Sequence, residues 1–108
     1  MSSTTITRGN SHETFYITPS ITPAAVAAQT SASQTFSVAG LQTTDLVLVQ
    51  GYNGTQTAGI VIAESDCLTA GVLSVQFANV STASATPASG AYAIQITRLE
   101  GPAPVTAV

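Results

Sequence analysis

An all-β fold, a single antiparallel β-sandwich or small jelly-roll-like barrel, is predicted by three features of this 108-residue chain. Short runs of strand-forming residues recur at roughly ten-residue spacing, clusters of Gly, Asn and Ser/Thr separate them, and no stretch carries the apolar period of an amphipathic helix. The length suits one domain, since a chain of this size buries roughly two-thirds of the surface that its unfolded form exposes.

Residues 1–13 are polar and show neither helical nor strand periodicity, which predicts an extended arm. Residues 14–100 form the sandwich domain. Thr14 to Thr18 has strand propensity, and Pro19 and Pro23 confine this part of the chain to an edge or linker, because proline has no ladder donor. Ala24 to Gln29 is short and comes after a proline, so it is expected as a first or edge strand rather than a helix. Gln34 to Ala39 alternates, with Phe36 and Val38 on the core side, and the turn from Gly40 to Thr44 leads to Asp45, whose side chain is expected to tie that turn to its own backbone.

Leu46 to Val49 is apolar on both faces, as is Ala58 to Ala63, and Gly51 to Gly54 is a turn between them. Leu73, Val75 and Phe77 alternate with Ser74, Gln76 and Ala78; Tyr92, Ile94 and Ile96 alternate with Ala93, Gln95 and Thr97. Pro102 and Pro104 prevent residues 101–108 from continuing a central strand, so they form an extended tail.

Composition narrows the function. Two arginines, no lysine and five carboxylates give a net charge of −3, and only 6% of residues are charged, where about a quarter is usual. Nucleic-acid binding is excluded, because it needs cations to replace phosphate counterions. A surface of Ser, Thr, Gln, Ala and Gly offers little electrostatic resistance to association and suits a protein that lives assembled. Cys67 is alone, which allows neither an internal disulfide nor a zinc or redox pair, and it is expected as a buried filler. The first residues lack the apolar stretch of a signal peptide and no run approaches the roughly 20 apolar residues of a membrane span, so cytoplasmic synthesis is expected. The sequons at Asn53 and Asn79 are then accidental.

Chemistry-bearing residues do not converge. His12 and Glu13 are neighbours on the arm, where adjacent side chains of an extended chain point apart. Glu64 and Asp66 share a face if extended, and Asp45 could join them, but calcium takes roughly six to eight oxygens and the dense Asp/Asn/Gly loop of a calcium site is missing. Glu13, expected to point away, does not orient the one histidine, and no nucleophile-elbow pattern is present. No catalytic, cofactor-binding or metal-ligating residue is therefore assigned, and no enzymatic activity is expected. Tyr52, on a loop, could stack on a sugar, but a chain without Trp makes a thin platform, and tyrosine more often serves an interface.

Four segments carry a family resemblance: Phe36 to Val49 with Gly-Leu-x-Thr-x-Asp at its centre, Ala58 to Ile62, Gly71 to Asn79 ending in Phe-x-Asn, and Thr86 to Arg98 with Thr-Pro-x-x-Gly-x-Tyr. In this order and spacing they resemble a small β domain found among virion proteins of tailed bacteriophages, over about residues 23–100. The resemblance implies a capsid decoration, or cement, protein: a homo-oligomer, commonly a trimer, on the outer shell, clamping neighbouring major capsid subunits with terminal extensions. It implies residence on the virion and no catalytic residues. A carbohydrate- or receptor-binding module, or a tail or head-fibre component, is the alternative.

For such a role the candidate interface residues are Phe15, Tyr16, Ile17, Val47, Val49, Tyr52, Pro102, Pro104 and Val105. In the doubly apolar strand, Leu46 and Leu48 share one environment and Val47 and Val49 the other. One side is expected to meet the core and the other a neighbouring subunit.

Overall fold

The computed structural model describes residues 11–101 and 105. Seven strands are formed among them: β1 (Ser11–Ile17), β2 (Ser20–Ile21), β3 (Thr30–Ser37), β4 (Leu46–Tyr52), β5 (Ile60–Thr69), β6 (Val72–Asn79) and β7 (Gly90–Leu99). They build two antiparallel sheets, as the sequence predicts. In the first, β7 is central, flanked by β1 and β2 on one edge and by β4 on the other; in the second the order is β3-β6-β5. Residues 102–104 and 106–108 lie outside the described part, as do residues 1–10 of the expected arm. Ser11 to Glu13, placed on that arm by composition, belong to β1, where Glu13 pairs with Arg98.

Side chains of period two fill the space between the sheets. The first sheet supplies Val49, Tyr92, Ile94 and Ile96, and the second supplies Ile60, Cys67, Leu73, Val75 and Phe77, all buried. Phe77 meets Tyr92 edge-on, with centroids 6.3 Å apart at 75°, an arrangement the ring quadrupoles favour. Phe36 and Val38 pack against this core from β3 and its end, as their alternation predicts.

Between Ala24 and Gln29 the expected edge strand is absent. Ala-rich sequence supplies no bulky side chain to pack on a pleated surface, and only Val26 forms a ladder contact, an isolated bridge to Ala85. The backbone of Ala24 is paired instead by a side chain: Ala24 N–H donates to Gln34 Oε1 at 2.7 Å, and Gln34 Nε2 donates to the Ala24 carbonyl at 2.9 Å. One amide thereby imitates a strand partner. β5 is longer than the run of apolar residues suggests, because register shifts between Ile62 and Glu64 and between Asp66 and Thr69 let it continue through polar sequence.

The two sides of the sandwich are joined by similar devices. At the β4–β5 side, Ser65 Oγ donates to the Val47 carbonyl at 3.1 Å and accepts from Val49 N–H at 3.3 Å. At the far end of β6, buried Asn79 donates from Nδ2 to the carbonyls of Val26 and Ala83, at 3.0 and 2.9 Å, while Oδ1 accepts from Ser81 N–H and Oγ.

At the opposite end Asp45 accepts from Gln42 N–H, as expected for the turn, and also takes a two-point bond from Arg98: Nε to Oδ1 at 2.9 Å and Nη2 to Oδ2 at 2.8 Å. Arg98 Nη2 donates onward to the Gly40 carbonyl at 3.0 Å. Among the described residues no buried side-chain nitrogen or oxygen lacks a partner.

These anchors are open to direct test. Asn79→Ala removes the buried amide that bonds the Val26 and Ala83 carbonyls and Ser81, leaving Val26 only its bridge to Ala85, and should cost about 1–3 kcal/mol in urea unfolding. Asp45 is held below its ordinary value of 3.8 first by the Arg98 hydrogen bonds, against the upward push of burial. A depressed native pKa contributes stability that is complete above the ordinary carboxylate value and lost as pH falls through the native one. Unfolding profiles between about pH 2 and pH 7 should therefore show Asp45→Asn less stable at neutral pH, with a shallower acid limb, the two proteins converging in acid.

Candidate functional site

Strand alternation gives the first sheet two chemically different faces. On β1, Phe15 and Ile17 turn inward and Thr14 and Tyr16 outward; on β7, Ile94 and Ile96 are buried while Gln95 and Thr97 lie on the other side. On β4, Val49 is 6% exposed and Val47 packs on the core, whereas Leu46 and Leu48 are 55% and 59% exposed. The two environments of this doubly apolar strand are therefore the core and the outer surface.

The register assembles the outward residues into two rows across three strands. Thr14, Thr97 and Leu46 form one, and Tyr16, Gln95 and Leu48 the other. Thr14 and Thr97 bring their hydroxyls within 3.4 Å. Tyr16 is 72% exposed, and between it and Leu48 lies a hollow of about 430 Å³ over Ala93 and the neighbouring β7 backbone. None of these residues is charged. The other exposed apolar side chains of the sandwich, Val61, Leu68 and Val80, stand on or beside the second sheet.

Asp45 and Arg98 lie on the inward side of their strands and meet there. Asp45 has the parity of Val47 and Val49, and Arg98 that of Ile94 and Ile96. Their paired hydrogen bonds at the sandwich end fix both strands in phase. The Arg98 guanidinium also sits 5.3 Å from the centroid of the Phe15 ring, a favourable cation–π distance.

The candidate interface residues are accordingly divided. Tyr16 and Val105 are exposed, Val105 completely. Val49 is buried in the core of this chain, and Phe15, Ile17 and Val47 are partly buried against it, because alternation commits their neighbours outward. Pro102 and Pro104 lie outside the described residues. Leu46 and Leu48 are the exposed side of the doubly apolar strand, a choice the sequence reading left open; their parity opposite to Asp45 is the signal that could have made it.

Tyr52 is corrected from a loop residue to the end of β4, opposite Tyr92. Its ring packs 5.3 Å from that of Tyr92, and a Cβ added at Gly54 would stand 2.7 Å, and at Gly90 3.0 Å, from it. Both glycines have positive φ, 159° and 140°, so they supply a turn and a bare backbone beside the ring. Burial pushes the Tyr92 phenol upward; it donates to the Ala88 carbonyl at 2.6 Å and accepts from Gln56 Nε2 at 3.0 Å.

The titratable residues remain dispersed. His12 Nε2 and Glu13 Oε1 approach to 3.8 Å at the surface. The register shift between Ser11 and Glu13 brings them together, where a regular strand would hold them apart. Asp45 is engaged by Arg98 rather than directed toward Glu64 and Asp66, whose ladder partners are Gln76 and Ser74. Among the described residues no three His, Cys, Asp or Glu side chains are grouped to hold a metal. Cys67 is buried, with Sγ 3.1 Å from the Thr69 carbonyl.

The division between faces gives a direct expectation. Val49→Asp buries an unpaired carboxylate and should destabilise the fold by at least about 3 kcal/mol, whereas Leu48→Asp should stay within about 0.5 kcal/mol of the parent, both measured by urea unfolding. No protein-family model, curated protein or solved structure matches the chain.

Proposed function

We propose that this chain is a structural virion protein, a capsid decoration protein that binds the outer surface of a tailed-bacteriophage head and bridges major capsid subunits as a homo-oligomer, with a trimer favoured. The observation that carries the proposal is the uncharged outer face of the first sheet, with Tyr16, Leu46 and Leu48 projecting from a sandwich whose core is already filled. Exposed large apolar side chains grouped on one uncharged face suit a surface that meets another protein. The four segments that resemble phage virion domains support the same assignment. The protein is synthesised in the host cytoplasm and resides on the capsid surface.

The mechanism is adhesion without chemistry. Copies associate through the outer face, and the segments flanking the sandwich lie along the shell or along neighbouring subunits. Extended segments bind through main-chain hydrogen bonds and need few distinctive side chains. Tethering several weak arms in one oligomer raises their effective concentration, so modest contacts sum to firm attachment. The alternative of a carbohydrate- or receptor-binding module gains nothing from Tyr52, whose ring is packed against Tyr92 and the two glycine turns.

Two measurements on one preparation test this. Sedimentation of Leu46→Asp/Leu48→Asp should show a folded monomer where the parent is an oligomer. Deletion of residues 1–10, which leaves β1 intact, should leave a folded oligomer that no longer decorates capsids. Full occupancy of the shell by the truncated protein, or an unchanged oligomer in the double variant, would overturn the corresponding half of the proposal.

A further inference from the structure

The two lateral sides of the sandwich are closed unequally. One is sealed where Ser65 bonds β4 to β5. On the other, β1 faces β3, and among the described residues β1 pairs in a ladder only with β7 and β3 only with β6. Half of this side is covered by the chain between β2 and β3: Ile21, Pro23 and Val26 are buried there, and the Gln34 amide holds Ala24. The half toward the Ser11 end has no such cover among the described residues. A cleft of about 240 Å³ opens there, lined by Phe15 and Ile17 of β1, Val38 and Leu41 after β3, Ile96 and Arg98. The charge of Arg98 is already answered by Asp45. The cleft therefore suits an uncharged, apolar and extended occupant that can also bond the free edge of β1.

The sequence after Gly101 has those properties. Pro-Ala-Pro-Val-Thr-Ala-Val carries no charged side chain and places small apolar residues at 103, 105 and 107. In an extended chain these three share one face, and their N–H groups share one edge. Pro102 and Pro104 deprive the opposite edge of two donors, so the segment can pair along one side while the other is blunted against further addition. Six extended residues reach about 20 Å, enough to run beside β1 from Glu13 to Ile17. Leu99 pairs with Ser11, so the segment leaves the fold at the end where the cleft opens. Val105 is fully exposed in the single chain, which leaves its apolar surface free for another copy.

We propose that the cleft between β1 and β3 receives residues 102–108 of a second copy of this chain, added as a strand along β1 with Ala103, Val105 and Ala107 against Phe15, Ile17 and Val38. Each copy then gives one segment and accepts another, a head-to-tail contact that closes into a ring when the rotation between copies allows. The proposal rests on reading this chain as a self-assembling one and is independent of what the assembly decorates.

The test uses the full chain. Val38→Cys and Val105→Cys proteins are co-expressed, gently oxidised, and their disulfides identified by non-reducing electrophoresis and mass spectrometry, with the parent as baseline for buried Cys67. The expected product is the mixed Val38→Cys to Val105→Cys disulfide, at least about tenfold over either like pair, a ratio corresponding to about 1.4 kcal/mol. Val105→Asp should weaken association without changing the unfolding midpoint. Like and mixed pairs in random proportion, absence of the mixed pair, or a Val38→Cys/Val105→Cys protein that closes its disulfide within one chain each overturn the proposal. Sedimentation of Leu46→Asp/Leu48→Asp reports the outer face separately, so loss of self-assembly there is distinguishable from an empty cleft.

Discussion

Two sheets stacked face to face share no ladder, so wherever the chain passes between them its backbone donors and acceptors must find partners of another kind. In this protein that constraint is met by neutral side chains. Gln34 pairs both polar groups of Ala24, Ser65 bridges Val47 and Val49, Asn79 gathers Val26, Ala83 and Ser81, and Gln56 joins Ala88 to Tyr92. An amide supplies a donor and an acceptor on one planar group, which is the pattern of a strand edge. A chain with so few charges can therefore close its seams without burying many ions, each of which is costly to desolvate.

The ion pair of Asp45 and Arg98 differs in kind. The two meet at two points where the β3–β4 connection reaches β7, and Arg98 then reaches the Gly40 carbonyl and the Phe15 ring. A planar guanidinium satisfies several acceptors at fixed angles, so the pair sets geometry as well as contributing attraction. It places Val47 and Val49 on the core side and thereby Leu46 and Leu48 outside. The exposed apolar face thus lies on the same strands as a bond made at their far end.

The motif residues that suggest a phage virion domain are largely the anchors of the fold. Gly40 and Asp45 engage Arg98, Phe77 and Tyr92 meet in the core, Asn79 is buried, and Gly90 lies against Tyr52. Such a pattern speaks first to architecture; the outer-face residues Leu46, Leu48, Gln95 and Thr97 fall within the same segments, and Thr14 and Tyr16 outside them. The cleft between β1 and β3 is a second surface of different make, an apolar lining beside a strand edge.

The sequence by itself determined the all-β class, the alternation in β3, β6 and β7, the turn-tying role of Asp45 and the absence of a charge-rich surface, because period, turn chemistry and composition are local properties. Four things needed tertiary structure. The Ala24–Gln29 segment lost its strand to a side-chain partner ten residues away. The bulges that extended β5 and brought His12 to Glu13 depend on a partner strand. Tyr52 was drawn from its expected loop into the packing around Tyr92. The phase of the doubly apolar strand was open, since Leu46 to Val49 reads equally well either way; the tertiary structure, with Asp45 bonded to Arg98 53 residues away, puts Val47 and Val49 on the core side and Leu46 and Leu48 outside.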